Sequence, residues 1–295
     1  MNRLSTEDRA RIIQALTEGN SLRSTSRLTG TALNTVTRVL VAAGHAAADY
    51  QDVVMRDLPC KRLQLDEIWA FVYAKAKNVK HAKSAPPQAG DVWTWTAICQ
   101  DTKLIPAWWV GARELPDAVA FTDDLAGRLA NRVQVTTDGL RAYVTAVPSA
   151  FDGQVDYSQL VKVYGPPPGE QNERRYSPAI CLGTKATTIS GSPDLASAST
   201  SHAERSNLTM RMGMRRFTRL TNAFSKKLAN HEASVALHFL HYNFARPHST
   251  LKGATPAQVA GVSRYRWSYE DMAALLNDPQ YADVFKAAKV GSKIA

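Results

Sequence analysis

The sequence predicts an α/β protein: a mixed five-stranded sheet with flanking helices, preceded by a small all-α segment of helix-turn-helix form. Three observations carry this expectation. Strand-like apolar runs alternate with amphipathic helical ones between residues 63 and 165, an order that folds into a sheet with helices on both faces. Residues 4–43 instead hold three short runs of helical period, each with a capping residue at its head. The apolar fraction, 44% of 295 residues, is that of ordinary folded proteins and supplies a real core.

The first helix is "LSTEDRARIIQALTEG". Ser5 is its N-cap, Asp8 places an acid near the helix N-terminus, and Gly19 stops it. "SLRSTSRLTG" is a second, capped by Ser21 and ended near Gly30. "TALNTVTRVLVAAG" is a third, capped by Thr31 and stopped by Gly44. Ile12, Ile13, Leu16, Leu22, Leu28, Val36, Val39 and Leu40 supply a small core. In a helix-turn-helix the third helix reads DNA, so Asn34, Thr35, Thr37 and Arg38 would face a groove. A plain three-helix cap is the alternative. This segment spans residues 1–45, and 46–61, without a clear period, reads as a linker.

Strand candidates follow at 63–73, 92–100, 104–111 and 132–137. "QDTK" at 100–103 joins the second and third as a hairpin, which makes Asp101 a turn residue. The helix at 114–131 turns Ala118, Phe121, Leu125 and Leu129 inward and leaves Asp123 and Asp124 wet. "LRAYVTAVPSAF" is a further helix and "VDYSQLVKVYG" the fifth strand. Residues 165–200, rich in Pro, Gly, Ser and Thr, read as a flexible insertion. Residues 202–245 are helical in two pieces, broken near 218–225. The α/β block is thus 62–250, and 251–295 form a turn-rich strap and a helical tail over 268–290. Trp69, Trp93, Trp95, Trp108 and Trp109 are core candidates.

A net charge of +10 and a pI near 9.6 point to nucleic acid first, and to an acidic membrane surface second. No apolar run reaches the roughly 18 residues of a spanning helix, and the N-terminus has no apolar signal region, so a cytoplasmic protein is expected. Cys60, Cys99 and Cys181 are isolated, which argues against a disulfide framework and a zinc site. His231, His238, His241 and His248 are poor metal candidates, with His238 and His241 expected near the polar edge of one helix.

Three acids stand out. Asp66 interrupts the apolar run "LQLDEIWAFVYA", where an unpaired buried carboxylate is costly unless it works. Its neighbour Glu67 faces the other side of the strand and competes for the role. Asp138 ends "RVQVTTDG" and is either a ligand or a turn residue. Glu204 opens "HAERSNLTMRMGMRRFTR" and is either a ligand or a helix N-terminal charge. Arg205, Arg211, Arg215, Arg216, Arg219, Lys226 and Lys227 follow it with no acid before Glu232. Helical spacing would turn Glu204, Asn207, Arg211 and Arg215 the same way. A carboxylate beside arginines suits work on a phosphate backbone; a solvated basic face is the alternative. Mg²⁺ or Mn²⁺ takes carboxylate oxygens, and two such ions can activate both the attacking and the leaving oxygen of a phosphodiester.

At these residues the sequence resembles the DDE transposases of bacterial insertion sequences, most closely the insertion-sequence-one family. "LDEIWAFV", "VTTDGLRAY", "HAERSNLTMR" and "YNFARPHSTL…TPA" carry the likeness, in order, over roughly 60–260. The resemblance implies a core like that of ribonuclease H and retroviral integrases, with Asp66, Asp138 and Glu204 as the catalytic, metal-holding triad. Asn207 and Arg211 would extend the Glu motif, and His202 precedes it. Arg215, Arg216, Lys226 and Lys227 join the DNA-binding residues of the helical segment. Related sequences often carry a zinc-finger-like segment before the helix-turn-helix; this chain lacks one. The implied activity is DNA transposition in the bacterial nucleoid. The chain would bind the terminal inverted repeats of double-stranded DNA as a homo-oligomer, cut with two metal ions, and join the freed 3′ end to target DNA. A non-catalytic DNA-binding regulator and a same-fold nuclease that cuts without joining are the rivals.

Overall fold

A computed structural model describes residues 4–165, 180–218 and 222–277. Helix α1 (Thr6–Thr17) begins where Ser5 Oγ accepts the Asp8 N–H at 3.0 Å. Helix α2 (Leu22–Thr29) is capped likewise by Ser21 and closed by Gly30 at a φ of 66°. Helix α3 (Leu33–Val54) departs from expectation. Its N-cap is Ala32, not Thr31, and it runs through Gly44 for 22 residues. Gly44 is there for packing: a Cβ on it would meet the Ala233 carbonyl oxygen at 2.3 Å. Most of the stretch expected as a linker is therefore helix, and Gln51 Nε2 of α3 reaches the Ala236 carbonyl at 3.3 Å.

The following elements are β1 (Arg62–Val72), α4 (Ala76–Val79), β2 (Gly90–Cys99), β3 (Trp108–Gly111), α5 (Leu115–Ala126), β4 (Val133–Thr137), α6 (Arg141–Ala150), β5 (Val155–Gly165) and β6 (Ile180–Ser190). They are followed by α7 (Ser201–Gly213), α8 (Leu228–Leu240), α9 (Pro256–Val259) and α10 (Tyr269–Ala274). The sheet has six strands, not five, in the order β3-β2-β1-β4-β5-β6. Strands β1, β4 and β5 are parallel; β2, β3 and β6 join antiparallel.

Two departures have local causes. β6 falls inside the expected insertion, because "CLGTKATTIS" is an exposed edge strand with little apolar alternation. Residues 166–179 of that expected insertion lie outside the described residues. β3 starts at Trp108 rather than 104. The Asn243 side chain takes both backbone groups of Ile105, each at 3.0 Å, in place of a ladder.

The core has two parts, one on each face of the sheet. One joins Ile12, Val36 and Leu40 of the first helices to Leu63, Trp95, Phe121 and Tyr143. The other packs Ile68, Ala70 and Val72 against Met210, Val235 and Phe239. Of the expected core, Leu28 is 67% exposed, and among the tryptophans only Trp95 is fully buried. His238 and His241, expected at a polar edge, are buried. The expected tail helix is described only to residue 277; there Asn277 Oδ1 accepts from Arg9 Nη1 at 2.7 Å, which ties the tail to α1. No described helix is long and apolar enough to cross a membrane.

Candidate metal centre

The parallel register of β1 on β4 pairs Leu65 with Thr137. The next residue along each chain is an acid, Asp66 within β1 and Asp138 just past the end of β4, so the two stand side by side. Asp66 Oδ1 accepts its neighbour's N–H, from Glu67, at 2.8 Å. Asp138 Oδ1 accepts the Leu140 N–H at 2.9 Å, so Asp138 shapes a turn as well as facing Asp66. Gln159 of β5 holds the Asp138 carbonyl at 2.9 Å.

Helix α7 brings the third acid, and β1 docks it. Gln64 Oε1 accepts the N–H groups of His202 and Ala203 at 2.8 and 3.2 Å, satisfying amides that a helix start leaves open. Two residues along the same strand face, Asp66 Oδ2 accepts from Asn207 Nδ2 at 2.8 Å. These contacts set α7 across the sheet so that Glu204 opens on the same cavity as Asp66 and Asp138. That cavity has a volume of about 350 Å³, and Lys162 of β5 and Thr200 also line it.

Glu204 stands slightly apart from the other two. Asp66, Glu67 and Asp138 offer one oxygen each within 4.8 Å of one another; Glu204 is outside that group. Its Oε1 is held instead by Lys162 Nζ at 2.5 Å and Thr200 Oγ1 at 2.7 Å. Glu67 sits behind the cavity. Its side chain is 1% exposed, paired with Arg113 and touched by the Tyr143 hydroxyl at 3.3 Å.

Burial shapes the charges. Loss of solvent, with Asp138 and Glu204 nearby, pushes the Asp66 carboxyl up to about 6. Burial and then Asp138 push Glu67 up to about 7, against the pull of Arg113. Burial also drives Glu204 upward, but its bonds to Lys162 and Thr200 outweigh that and leave it lowered.

This donor set fits a hard divalent cation. All its charged donors are carboxylate oxygens, and Asn207 Oδ1, buried beside Asp66, has no hydrogen-bond partner among the described residues. Asp66, Glu67 and Asp138 lie close enough to share an ion; Asp66, Asp138 and Glu204 are the acids that open on the cavity, and Glu67 is paired with Arg113.

The expected DNA-facing residues are scattered more widely. Asn34 and Arg38 are exposed at the start of α3. Thr35 and Thr37 are half-buried, and Thr37 Oγ1 bonds its own helix at the Leu33 carbonyl. Glu204, Asn207, Arg211 and Arg215 do not share one open face. Asn207 is buried, Arg211 is half-buried, and α7 ends before Arg215, which is exposed in the next turn. Arg216 is half-buried with Nη1 on Ser225 Oγ at 2.6 Å, while Lys226 and Lys227 are exposed. Arg219 lies outside the described residues.

Sequence reasoning missed Lys162, Gln64 and Arg113. Lys162 carried a signal: a lone lysine inside the strand "QLVKVYG", next to apolar residues on both sides. No protein-family model matches the chain, and no curated protein matches it.

Proposed function

We propose that this chain is a DNA transposase of the DDE type. It would bind the ends of an insertion sequence, hydrolyse a phosphodiester there with divalent metal, and transfer the strand to target DNA. One observation carries the reading: Asp66 from β1, Asp138 from the end of β4 and Glu204 from α7 open on one cavity in a strongly basic chain. A ribonuclease-H-like core is supported by three antiparallel strands leading into two parallel ones, with one acid in the first strand and one just past the end of the fourth.

In this reading Asp66, Asp138 and Glu204 hold two Mg²⁺ or Mn²⁺ ions. Such ions, when bound, would supply Lewis acidity for an attacking water and for the leaving oxygen. Asn207 orients Asp66, and Gln64 holds α7 so that Glu204 reaches the cavity. Hydrolysis would leave a 3′-hydroxyl, and its attack on a target phosphodiester would form one P–O bond as the target's own 3′-oxygen leaves with a proton, a transesterification with no net change in bond number. Asn34, Thr35, Thr37 and Arg38 at the head of α3 would read the terminal repeats. The exposed Arg215, Lys226 and Lys227 would meet backbone phosphates. Two ends must be joined together, so a homo-oligomer on DNA is part of the proposal.

The test uses full-length protein, Mn²⁺ and a duplex carrying one end of the element. The expected products are a nick at the end and a joined strand, both lost in Asp66→Asn while DNA binding persists. Cleavage without joined product makes the chain a nuclease. Binding without cleavage makes it a regulator.

A further inference from the structure

Among the described residues, the cavity acids are matched unequally. Asp66 and Asp138 face each other with no ammonium or guanidinium in a salt bridge to either. Glu204 alone has one: Lys162 Nζ reaches its Oε1 at 2.5 Å, and Thr200 Oγ1 donates to the same oxygen. Glu204, so paired, lies outside the 4.8 Å group formed by the other acids. Both contacts fall on one oxygen, Oε1, and a cation entering the cavity would compete with the ammonium for the charge of Glu204.

We propose that Lys162 is a built-in counter-ion that holds Glu204 in the metal-free protein and gives it up when a divalent cation enters. The inference rests on the metal reading above and deepens it. Four carboxylates crowd this end of the sheet, and two cations, Arg113 and Lys162, sit among them. Arg113 is fixed: its forked guanidinium binds buried Glu67 and stacks over Trp93 at 4.7 Å. Lys162 is a point charge on a flexible stem, in a pair whose side chains are 32% and 45% exposed. Such a half-exposed pair is weak, so a doubly charged ion can displace it. The competition is reciprocal: what Lys162 contributes to holding Glu204 is taken from metal affinity.

Two measurements on the full-length chain test this. Lys162 is acylated with an amine-reactive ester and followed by peptide mass spectrometry as Mn²⁺ is added, with Lys185 as internal reference. Lys162 labelling should rise about two- to five-fold, with the same midpoint as Mn²⁺ binding by calorimetry, while Lys185 stays level. Lys162→Met should tighten Mn²⁺ by a similar factor, Lys162→Gln should do the same, and Lys162→Arg should not. Tighter binding without a change in Lys162 labelling is a bulk charge effect and overturns the proposal. So does labelling that is level or falls. Wild-type protein that takes up no Mn²⁺ removes the metal reading itself; uptake with Lys162 unmoved removes only the counter-ion.

Discussion

Asn207 Nδ2 donates to Asp66 Oδ2 across 2.8 Å, joining helix α7 to strand β1 where the cavity acids meet. The bond is partly buried, with Asn207 itself only 4% exposed. It does two jobs: it lowers the cost of an ionised Asp66, and it fixes the helix that carries Glu204.

Asn207→Ala removes that bond and leaves Asp66 less compensated. The expected loss is about 1–3 kcal/mol of stability, as for a buried charged acceptor that loses a donor. Mn²⁺ affinity should fall too, because Asp66 is left free to rotate and α7 is less firmly docked. Urea denaturation and calorimetry read the two effects. Unchanged stability together with unchanged Mn²⁺ binding would show the contact to be incidental.

Asp66→Asn should separate stability from function. The folded Asp66 carboxyl sits at about 6, above the ordinary carboxylate, because of burial and then its acidic neighbours. A raised acid destabilises the fold above its folded value, and the penalty fades as pH falls through it toward the unfolded value. The variant should therefore be more stable than wild type at pH 8 without metal, by on the order of 1–3 kcal/mol. At roughly 2–4 °C per kcal/mol this is a clear rise in Tm. The gain should shrink to nothing near pH 4, and Mn²⁺ binding should be lost at every pH. A lower Tm at pH 8 contradicts the assignment of the strain to Asp66.

Much of this architecture was legible because caps and periods are local. Ser5 and Ser21 cap helices as their sequences dictate, and the apolar alternation around Asp66 marks β1 correctly. What stayed hidden depends on partners far away in sequence. Gly44 reads as a stop until α8 is laid across it. The polar "CLGTKATTIS" pairs only because β5 offers it a neighbour. Asp66 and Asp138 could be proposed to meet, since their strands are adjacent, but the charge on Glu204 could not be assigned. Its partner Lys162 lies 42 residues upstream on strand β5.

Gly44→Ala sets two effects of opposite sign against each other. Helix propensity favours alanine by about 1 kcal/mol in the interior of a helix. Packing opposes it, since the new Cβ would overlap Ala233 at its backbone oxygen, Cα and Cβ, all within 2.5 Å. Backbone on a neighbouring helix cannot swing aside, so α3 and α8 must separate, and the cost of such overpacking is typically 1–3 kcal/mol or more. Packing should win. The urea midpoint should fall, and a rise would show that the crossing has room to spare.

The buried histidines set the acid limit of the fold. Burial, followed by the charge of Arg216, pushes His231 down to about 3. Burial likewise takes His238 to about 3 and His241 to about 4. The folded values lie below the unfolded one, so the stability they contribute is complete above about pH 6.5 and is lost as pH falls toward the folded values. Each histidine should steepen the decline by up to about 1.4 kcal/mol per pH unit in that window. Asp66 and Glu67 act in the opposite sense there, because protonation relieves them, so the wild-type slope is a difference between the two sets. Single variants isolate one contribution. His231 packs on Phe217 at 5.2 Å, its Nε2 has no partner among the described residues and its Nδ1 meets Ser225 Oγ only at 3.4 Å, so His231→Phe keeps an aromatic ring there and removes the titration. Urea midpoints between pH 7 and pH 4.5 should decline less steeply in this variant than in wild type, by about one proton's worth. Parallel slopes would mean that His231 takes up its proton without unfolding the site around it.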